Sequence, residues 1–145
     1  KKEEDPKPST LEQTILKMQG VRTYKGIYVT SDMNQSQGYH TVDTQWLENY
    51  PVLVYPTEEN TITMRSIDST RPSFGSYALE SGATPPCEEC ILFGMTRGNQ
   101  YYSNTYSITY NTLSDKVIKI KVLSARIYGS GTQRVTTEEF ELTEQ

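Results

Sequence analysis

The sequence predicts an all-β protein: an antiparallel up-and-down barrel of about eight strands with a short N-terminal helix. Three observations predict it: alternating apolar and polar residues recur in short stretches, turn-rich segments separate them, and one stretch alone has helical periodicity. A β-sandwich produces the same alternation and is the alternative. We expect residues 10–145 to form this single domain. Residues 1–9 are charged and contain two prolines, and are expected to be a disordered tether.

The one helix is predicted over Thr10–Gln19. Ser9 and Glu12 have the spacing of a capping box, in which each side chain bonds the backbone N–H of the other residue. Gly20 is a typical helix end, because glycine adopts the left-handed conformation without strain. Apolar residues share one face of the helix, at Leu11, Ile15 and Met18. We expect this face to close one end of the β-structure.

The first half of the β-region contains short strand patterns bounded by polar loops. The predicted strands are Val21–Thr30, Tyr39–Gln45, Val52–Tyr55, Thr61–Ile67, Phe74–Leu79 and Ile91–Met95. Gly26 lies inside the first strand and predicts a bulge or a point where two backbones approach closely. The polar stretch Ser31–Gly38 is predicted as a loop.

The stretch from Gln100 to Leu142 predicts three consecutive antiparallel strands. Side chains alternate across a strand, so one face of each strand should be buried. Four even positions of the first of these strands are apolar or aromatic: Tyr102, Tyr106, Ile108 and Tyr110. Pairing Tyr110 with Ile118 in the next strand requires a hairpin loop of three or five residues centred on Ser114.

The apolar pattern changes parity after Val122. A β-bulge near Val122–Leu123 would keep one face buried, and a strand that becomes buried on both sides explains the pattern equally well. The final strand, Gln133–Thr143, is predicted with Phe140 and Leu142 facing inward.

Composition argues against several functions. The net charge is −4 and no basic cluster follows the first residues, so nucleic acid is not an expected partner. No apolar run is long enough to span a membrane. His40 is the only histidine and lies in a polar stretch without a nucleophile motif, and the glutamates occur as adjacent pairs that would point to opposite faces of a strand. We therefore expect no enzymatic activity, no cofactor and no metal site.

The apolar fraction is only 34%, so the eleven tyrosines are expected to fill much of the core.

Cys87 and Cys90 form a C-x-x-C motif with two glutamates between the cysteines. We favour a structural disulfide in a surface turn, which an oxidising compartment permits. Free thiols, a metal site and a redox centre are the alternatives. The intervening acids and the following β-pattern oppose a reactive thiolate, and two cysteines supply only half of the ligands of a zinc site.

Four aromatic residues are the candidate ligand-binding residues: Trp46, Tyr102, Tyr106 and Tyr110. Aromatic faces stack on sugars and other flat or apolar ligands, and barrel mouths are common pocket sites. The competing interpretation is that these side chains fill the core, which we favour for Tyr106 and Tyr110 because they lie on the apolar face of a central strand.

The opening Lys1–Asp5, the short helix ending in Met18-Gln19-Gly20 and the β-rich remainder together resemble small exported lipoproteins of the Bacteroidetes type. The helix–glycine–strand start is similar to that of lipocalins (calycins). Where lipocalins have a G-x-W motif, Arg22 occupies the position of the tryptophan. The resemblance implies a lipocalin-like barrel in the cell envelope, periplasmic or tethered to the outer membrane. Membrane contact would then come only through an N-terminal lipid anchor outside this chain. No functional residue is transferred from it.

Two functions without catalysis follow as expectations, and a third hypothesis, an enzyme with a site assembled from distant carboxylates, would require two acids facing each other in a cleft. The first is a non-enzymatic binding or accessory domain at the envelope, whose barrel holds a small apolar or glycan ligand. The alternative is a structural or protein-interaction β-sandwich without a ligand pocket, which would bind a protein partner through a sheet edge or face. A cavity lined by Trp46 and the even-face tyrosines would favour the first function.

Overall fold

The computed structural model describes residues 10–82, 84–129 and 133–145. The predicted tether, residues 1–9, lies outside them. The elements, in chain order, are α1 Thr10–Met18, β1 Gly20–Asn34, β2 Tyr39–Glu58, β3 Thr61–Ser66, β4 Tyr77–Ser81, β5 Cys90–Gly98, β6 Tyr102–Asn111, β7 Lys116–Ile127 and β8 Arg134–Glu144. Each strand pairs antiparallel with the next one, and β8 pairs with β1. The all-β up-and-down barrel with a short N-terminal helix is therefore confirmed, and the alternative of a β-sandwich is wrong.

Helix α1 closes one end of the barrel, as predicted. Ile15 and Met18 are buried and belong to the same apolar core as the inward side chains of the strands, and Leu11 packs against that core. The helix ends before Gly20, whose φ of 114° is a conformation that side chains disfavour. We call this the closed end of the barrel. No helix in the described ranges is long and apolar enough to cross a membrane.

Arg22 holds the closed end together. Its guanidinium donates to the carbonyl oxygen of Lys17 in α1 (2.8 Å), to Asp115 in the β6–β7 turn (2.9 Å) and to Glu144 in β8 (2.8 Å). It also lies over the ring of Tyr110, with 5.5 Å between the guanidinium carbon and the ring centre. Burial disfavours the charge, but the hydrogen bonds to the two carboxylates outweigh it and raise the pKa of Arg22. One side chain thus connects the helix, a turn and the strand that closes the ring.

The wall of the barrel is incomplete at the opposite end, which we call the mouth. β3 pairs with β2 only over Val52–Glu58, and β4 pairs with β5 through only two residue pairs. Among the described residues, no strand pairs with residues 39–51 of β2 on the side away from β1. β2 is also longer than predicted, because two predicted segments and the stretch between them, including Pro51, form one strand. The mouth is therefore a curved sheet with a free edge along β2.

Residues 67–76 run beside β2 and place Phe74 inside the barrel. Phe74 is 6% exposed, and its ring meets Phe140 edge-on with 5.2 Å between ring centres. Ser66 accepts a hydrogen bond from the backbone N–H of Phe74 (2.9 Å) and donates one to its carbonyl oxygen (2.7 Å). A segment that was predicted as loop running into a strand thus fills the interior, and β4 begins only at Tyr77.

The β6–β7 hairpin differs from the prediction in loop length and in bulge position. The loop has four residues, 112–115, and Tyr110 pairs with Val117 rather than Ile118. The extra residue is Ile118, which is 39% exposed, whereas Val117 is 1% exposed. The bulge at Ile118 places Ile120 and Val122 on the same buried face as Val117. The pairing then runs without interruption through Val122 and Leu123, where the bulge was expected. The prediction that Phe140 and Leu142 face inward is confirmed, because both are buried.

Gly26 marks a close approach of two backbones, as its position within a strand predicted. A Cβ atom at this position would lie 2.0 Å from the carbonyl oxygen of Glu141 in β8. The predicted loop Ser31–Gly38 is shorter than expected, because β1 continues to Asn34. Cys87 and Cys90 are joined by a disulfide in the turn before β5.

Candidate ligand-binding site in the barrel mouth

The interior changes from apolar to polar in a single step along the strands. Four inward side chains that neighbour one another across β1, β8, β7 and β6 form the last apolar row: Tyr28, Phe140, Val122 and Tyr106. Two residues nearer the mouth on each strand, the same face carries four polar side chains: Thr30, Glu138, Ser124 and Asn104. Alternate residues of a strand share a face, so the polar row lies directly above the apolar one.

A second polar row lies at the opening of the barrel, on three neighbouring strands. Thr136, Arg126 and Tyr102 are cross-strand neighbours on β8, β7 and β6, one further step toward the mouth. Together the two polar rows line a cavity of about 520 Å³, with Tyr128 at its rim. This volume lies within the usual range of small-molecule sites. The floor of the cavity is the filled apolar core, and its walls are four strands of the barrel.

Tyr128 lies between two guanidinium groups. The guanidinium carbon of Arg134 is 4.7 Å from the ring centre and that of Arg126 is 5.2 Å from it. Arg134 is held by Asp32, with nitrogen–oxygen distances of 2.7 and 3.0 Å, and these hydrogen bonds keep the pKa of Asp32 below its usual value. Arg126 forms no ion pair with any described residue. Its charge is oriented by an aromatic ring and is free to meet a ligand.

Glu138 supplies a hydrogen-bond acceptor in the polar row next to the apolar floor of the cavity. Its carboxylate accepts a hydrogen bond from the hydroxyl of Tyr28 (2.9 Å), and burial together with this bond raises the pKa of Tyr28 to about 12. The neutral hydroxyl therefore stays a donor at physiological pH. The cavity thus combines a fixed carboxylate acceptor, the Arg126 donor, an amide at Asn104 and several hydroxyl groups around Tyr102. Such a set can bind a polar ligand by many directed hydrogen bonds.

The four predicted aromatic residues do not form one site. Tyr106 and Tyr110 are buried in the core at 1% and 0% exposure, in agreement with the interpretation favoured for them. Tyr102 lines the mouth cavity and is 40% exposed. Trp46 is 78% exposed on the outer face of β2, beside a groove of about 360 Å³ formed with residues of β1, β7 and β8.

Sequence reasoning missed Arg126 and Glu138. The expected bulge near Val122–Leu123 would have turned Arg126 outward, and the adjacent pair Glu138–Glu139 gave no reason to assign either residue to a site. The signal was available in the alternation itself. Counting by twos from Val122 leads to Arg126, and counting by twos back from Phe140 leads to Glu138.

The described residues contain no group of three metal-ligating side chains close enough to hold an ion. His40 is exposed on β2. Comparison with protein-family models, with curated proteins and with solved structures finds no match to this chain. The function must therefore be argued from the mouth cavity itself.

Proposed function

We propose that this chain is a non-enzymatic binding domain that holds a small glycan in the mouth of its barrel. The observation that carries the proposal is the abrupt change from the apolar row to two polar rows around an open cavity of about 520 Å³. Sugars present many hydroxyl groups that both donate and accept, and the lining offers the complementary mixture. Tyr102, which is 40% exposed, adds an aromatic face on which a sugar ring can stack.

The filled interior favours a glycan over an apolar ligand. A lipid chain would need apolar space below the mouth, and that space is occupied by Phe74, Tyr106 and Phe140, none of which is more than 6% exposed. An apolar ligand in the polar rows would also displace the water around Glu138 and Asn104 without supplying hydrogen bonds in its place, which is costly. Of the two ligand classes expected from the sequence, we therefore propose the glycan and not the apolar molecule.

Placement at the cell envelope remains part of the proposal. It is supported by the composition of residues 1–9 and by the Cys87–Cys90 disulfide, which is compatible with an oxidising compartment. A tethered barrel of this kind would present its mouth to glycans outside the cell or in the periplasm.

A glycan array followed by titration calorimetry of the strongest hits tests the proposal. Two variants address the site: Arg126→Gln removes the free guanidinium, and Asn104→Leu removes the amide. Each should weaken binding of the hit at least about tenfold, the loss of one good hydrogen bond to the ligand. Lys121→Gln is the matched control, because Lys121 is an exposed residue on the same strand as Arg126. Its affinity should equal that of the wild type.

Two results would overturn the proposal. One is a glycan that binds the wild type and both mouth variants with equal affinity, since it must then bind elsewhere. The other is an array without hits combined with stabilisation by fatty acids in a thermal-shift assay, which would restore the apolar ligand.

A further inference from the structure

Residues 39–47 of β2 form a free sheet edge within the described part of the chain. β1 pairs with one side of this segment, and β3 reaches only Val52–Glu58. Arg71 donates to the carbonyl oxygens of Glu48 (2.6 Å) and Asn49 (2.9 Å), so the free edge ends there. A free edge presents unpaired N–H and C=O groups that can extend the sheet with a strand of another chain.

Three devices that protect exposed strands, namely lysine, proline and β-bulges, are absent from this edge, and its one inward-pointing charge is Asp43, which pairs with Thr30 of β1. Residues 39–47 contain no lysine and no proline, and their register with β1 is regular up to Leu47. The outer face of the segment carries two exposed apolar side chains, Val42 at 59% and Trp46 at 78%. Two apolar side chains beside unpaired backbone groups favour association with another strand.

We propose that β2 pairs antiparallel with β2 of a second copy of this chain, about a two-fold axis at Thr44. In a two-fold antiparallel pair one residue lies opposite itself, and the residues on either side match symmetrically. With Thr44 at the centre, Val42 lies opposite Trp46 of the second copy, and Trp46 lies opposite Val42 of the second copy. The interface therefore contains two symmetric contacts between Val42 and Trp46, both on the same face of the extended sheet.

The polar residues agree with this register. Asp43 lies opposite Gln45 of the second copy, whose amide can donate to the carboxylate. The two neighbouring symmetric registers are worse. Centring on Asp43 places two carboxylates directly opposite each other, and centring on Gln45 moves Val42 opposite Glu48, where the free edge has ended. The segment is thus self-complementary about Thr44.

Pairing in this register joins the two barrels into one continuous sheet. The two-fold axis is perpendicular to the sheet, so the inner faces of both copies lie on the same side. The same axis reverses the strand direction, so the two mouths open in opposite directions along the paired strands.

Sedimentation velocity over about 1 µM to about 1 mM, the range in which weak interfaces dissociate, tests the dimer. The wild type should shift from monomer to dimer. Val42→Glu and Trp46→Lys should each be monomeric throughout, because each places a charge against an apolar side chain at both symmetric positions. Leu113→Lys is the control, since Leu113 is 83% exposed in the β6–β7 turn, and it should dimerise like the wild type. Circular dichroism establishes that each variant is folded.

The register is tested by mixing. In an equimolar mixture of Val42→Glu and Trp46→Lys, the proposed pairing brings the new glutamate opposite the new lysine and leaves one native Val42–Trp46 pair. Native mass spectrometry should detect a heterodimer although each variant alone is monomeric. A wild type that remains monomeric at about 1 mM, where even weak complexes form, overturns the proposal. So do variants that dimerise alone, and a mixture without heterodimer refutes the register.

Discussion

Replacing Phe74 by alanine tests whether the segment 67–76 supports the barrel from within. Removing a buried phenylalanine side chain costs about 3–5 kcal/mol, from the lost burial and the cavity that remains. Phe74 is 6% exposed and packs edge-on against Phe140, so we expect about 4 kcal/mol. The unfolding entropy of about 2.1 cal/mol/K per residue gives about 0.3 kcal/mol per degree for this chain length, so Tm should fall by about 13 °C.

Urea unfolding followed by tryptophan fluorescence and circular dichroism measures the change. Phe74→Leu keeps most of the apolar volume and should cost about 1–2 kcal/mol, which separates the cavity from any effect on the backbone. Leu113→Ala, at an exposed turn position, should change the free energy of unfolding by less than about 0.5 kcal/mol. A loss below about 1 kcal/mol for Phe74→Ala would refute the reasoning, because that value is typical of a surface loop.

Further predictions concern the closed end and the tyrosines. Arg22→Gln should cost about 2–3 kcal/mol in urea unfolding, because it removes charge-assisted hydrogen bonds to Glu144 and Asp115 and leaves the nearly buried Glu144 with Lys116 as its only charged partner among the described residues. Gly26→Ala should cost more than about 2 kcal/mol, since its Cβ would collide with a carbonyl oxygen, whereas Gly129→Ala, with open space around the added atom, should change stability by less than about 0.5 kcal/mol. Tyr24→Phe should stabilise the protein by about 1 kcal/mol in thermal unfolding, because the Tyr24 hydroxyl is buried and no described residue bonds it. The pKa of Tyr28 is raised to about 12, so its contribution to stability is complete below about pH 10, the pKa of a free tyrosine, and is lost as the pH rises toward 12. The alkaline unfolding midpoint of Tyr28→Phe should therefore shift upward, and an unchanged midpoint would contradict this assignment.

The strands with strict alternation could be predicted, because burial on one face imposes a period of two that local sequence displays directly. β6, with Tyr106 and Ile108 inward, and β8, with Phe140 inward, were predicted with the correct faces. β2 could not be predicted as one strand of 20 residues. Its mouth half is exposed on both faces and therefore carries no alternation, and Pro51 within it reads as a break.

The site was harder to predict because it depends on how neighbouring strands pair, and the apolar–polar alternation within one strand does not fix that pairing. The hairpin register of β6 and β7 determines whether Arg126 faces the cavity, and that register changed when the bulge moved to Ile118. Phe74 was missed for a related reason, since its burial comes from a segment that crosses the space left by short strands. The burial of Phe74 has no local signature in the sequence, whereas the alternation places Arg126 correctly only once the bulge is assigned to Ile118.

The join between β4 and β5 sets the order in which the molecule opens. Every other pair of neighbouring strands shares at least four residue pairs, but this one shares only Glu80–Gly94 and Ser81–Phe93. Local opening concentrates where the fewest contacts must break, so amide hydrogens of β4 should exchange with solvent before those of β1 or β8. The first local opening of the native state would then separate β4 from β5 along the side of the barrel. None of the Arg22 hydrogen bonds involves β4 or β5, so we expect helix α1 and the closed end to stay folded during this opening.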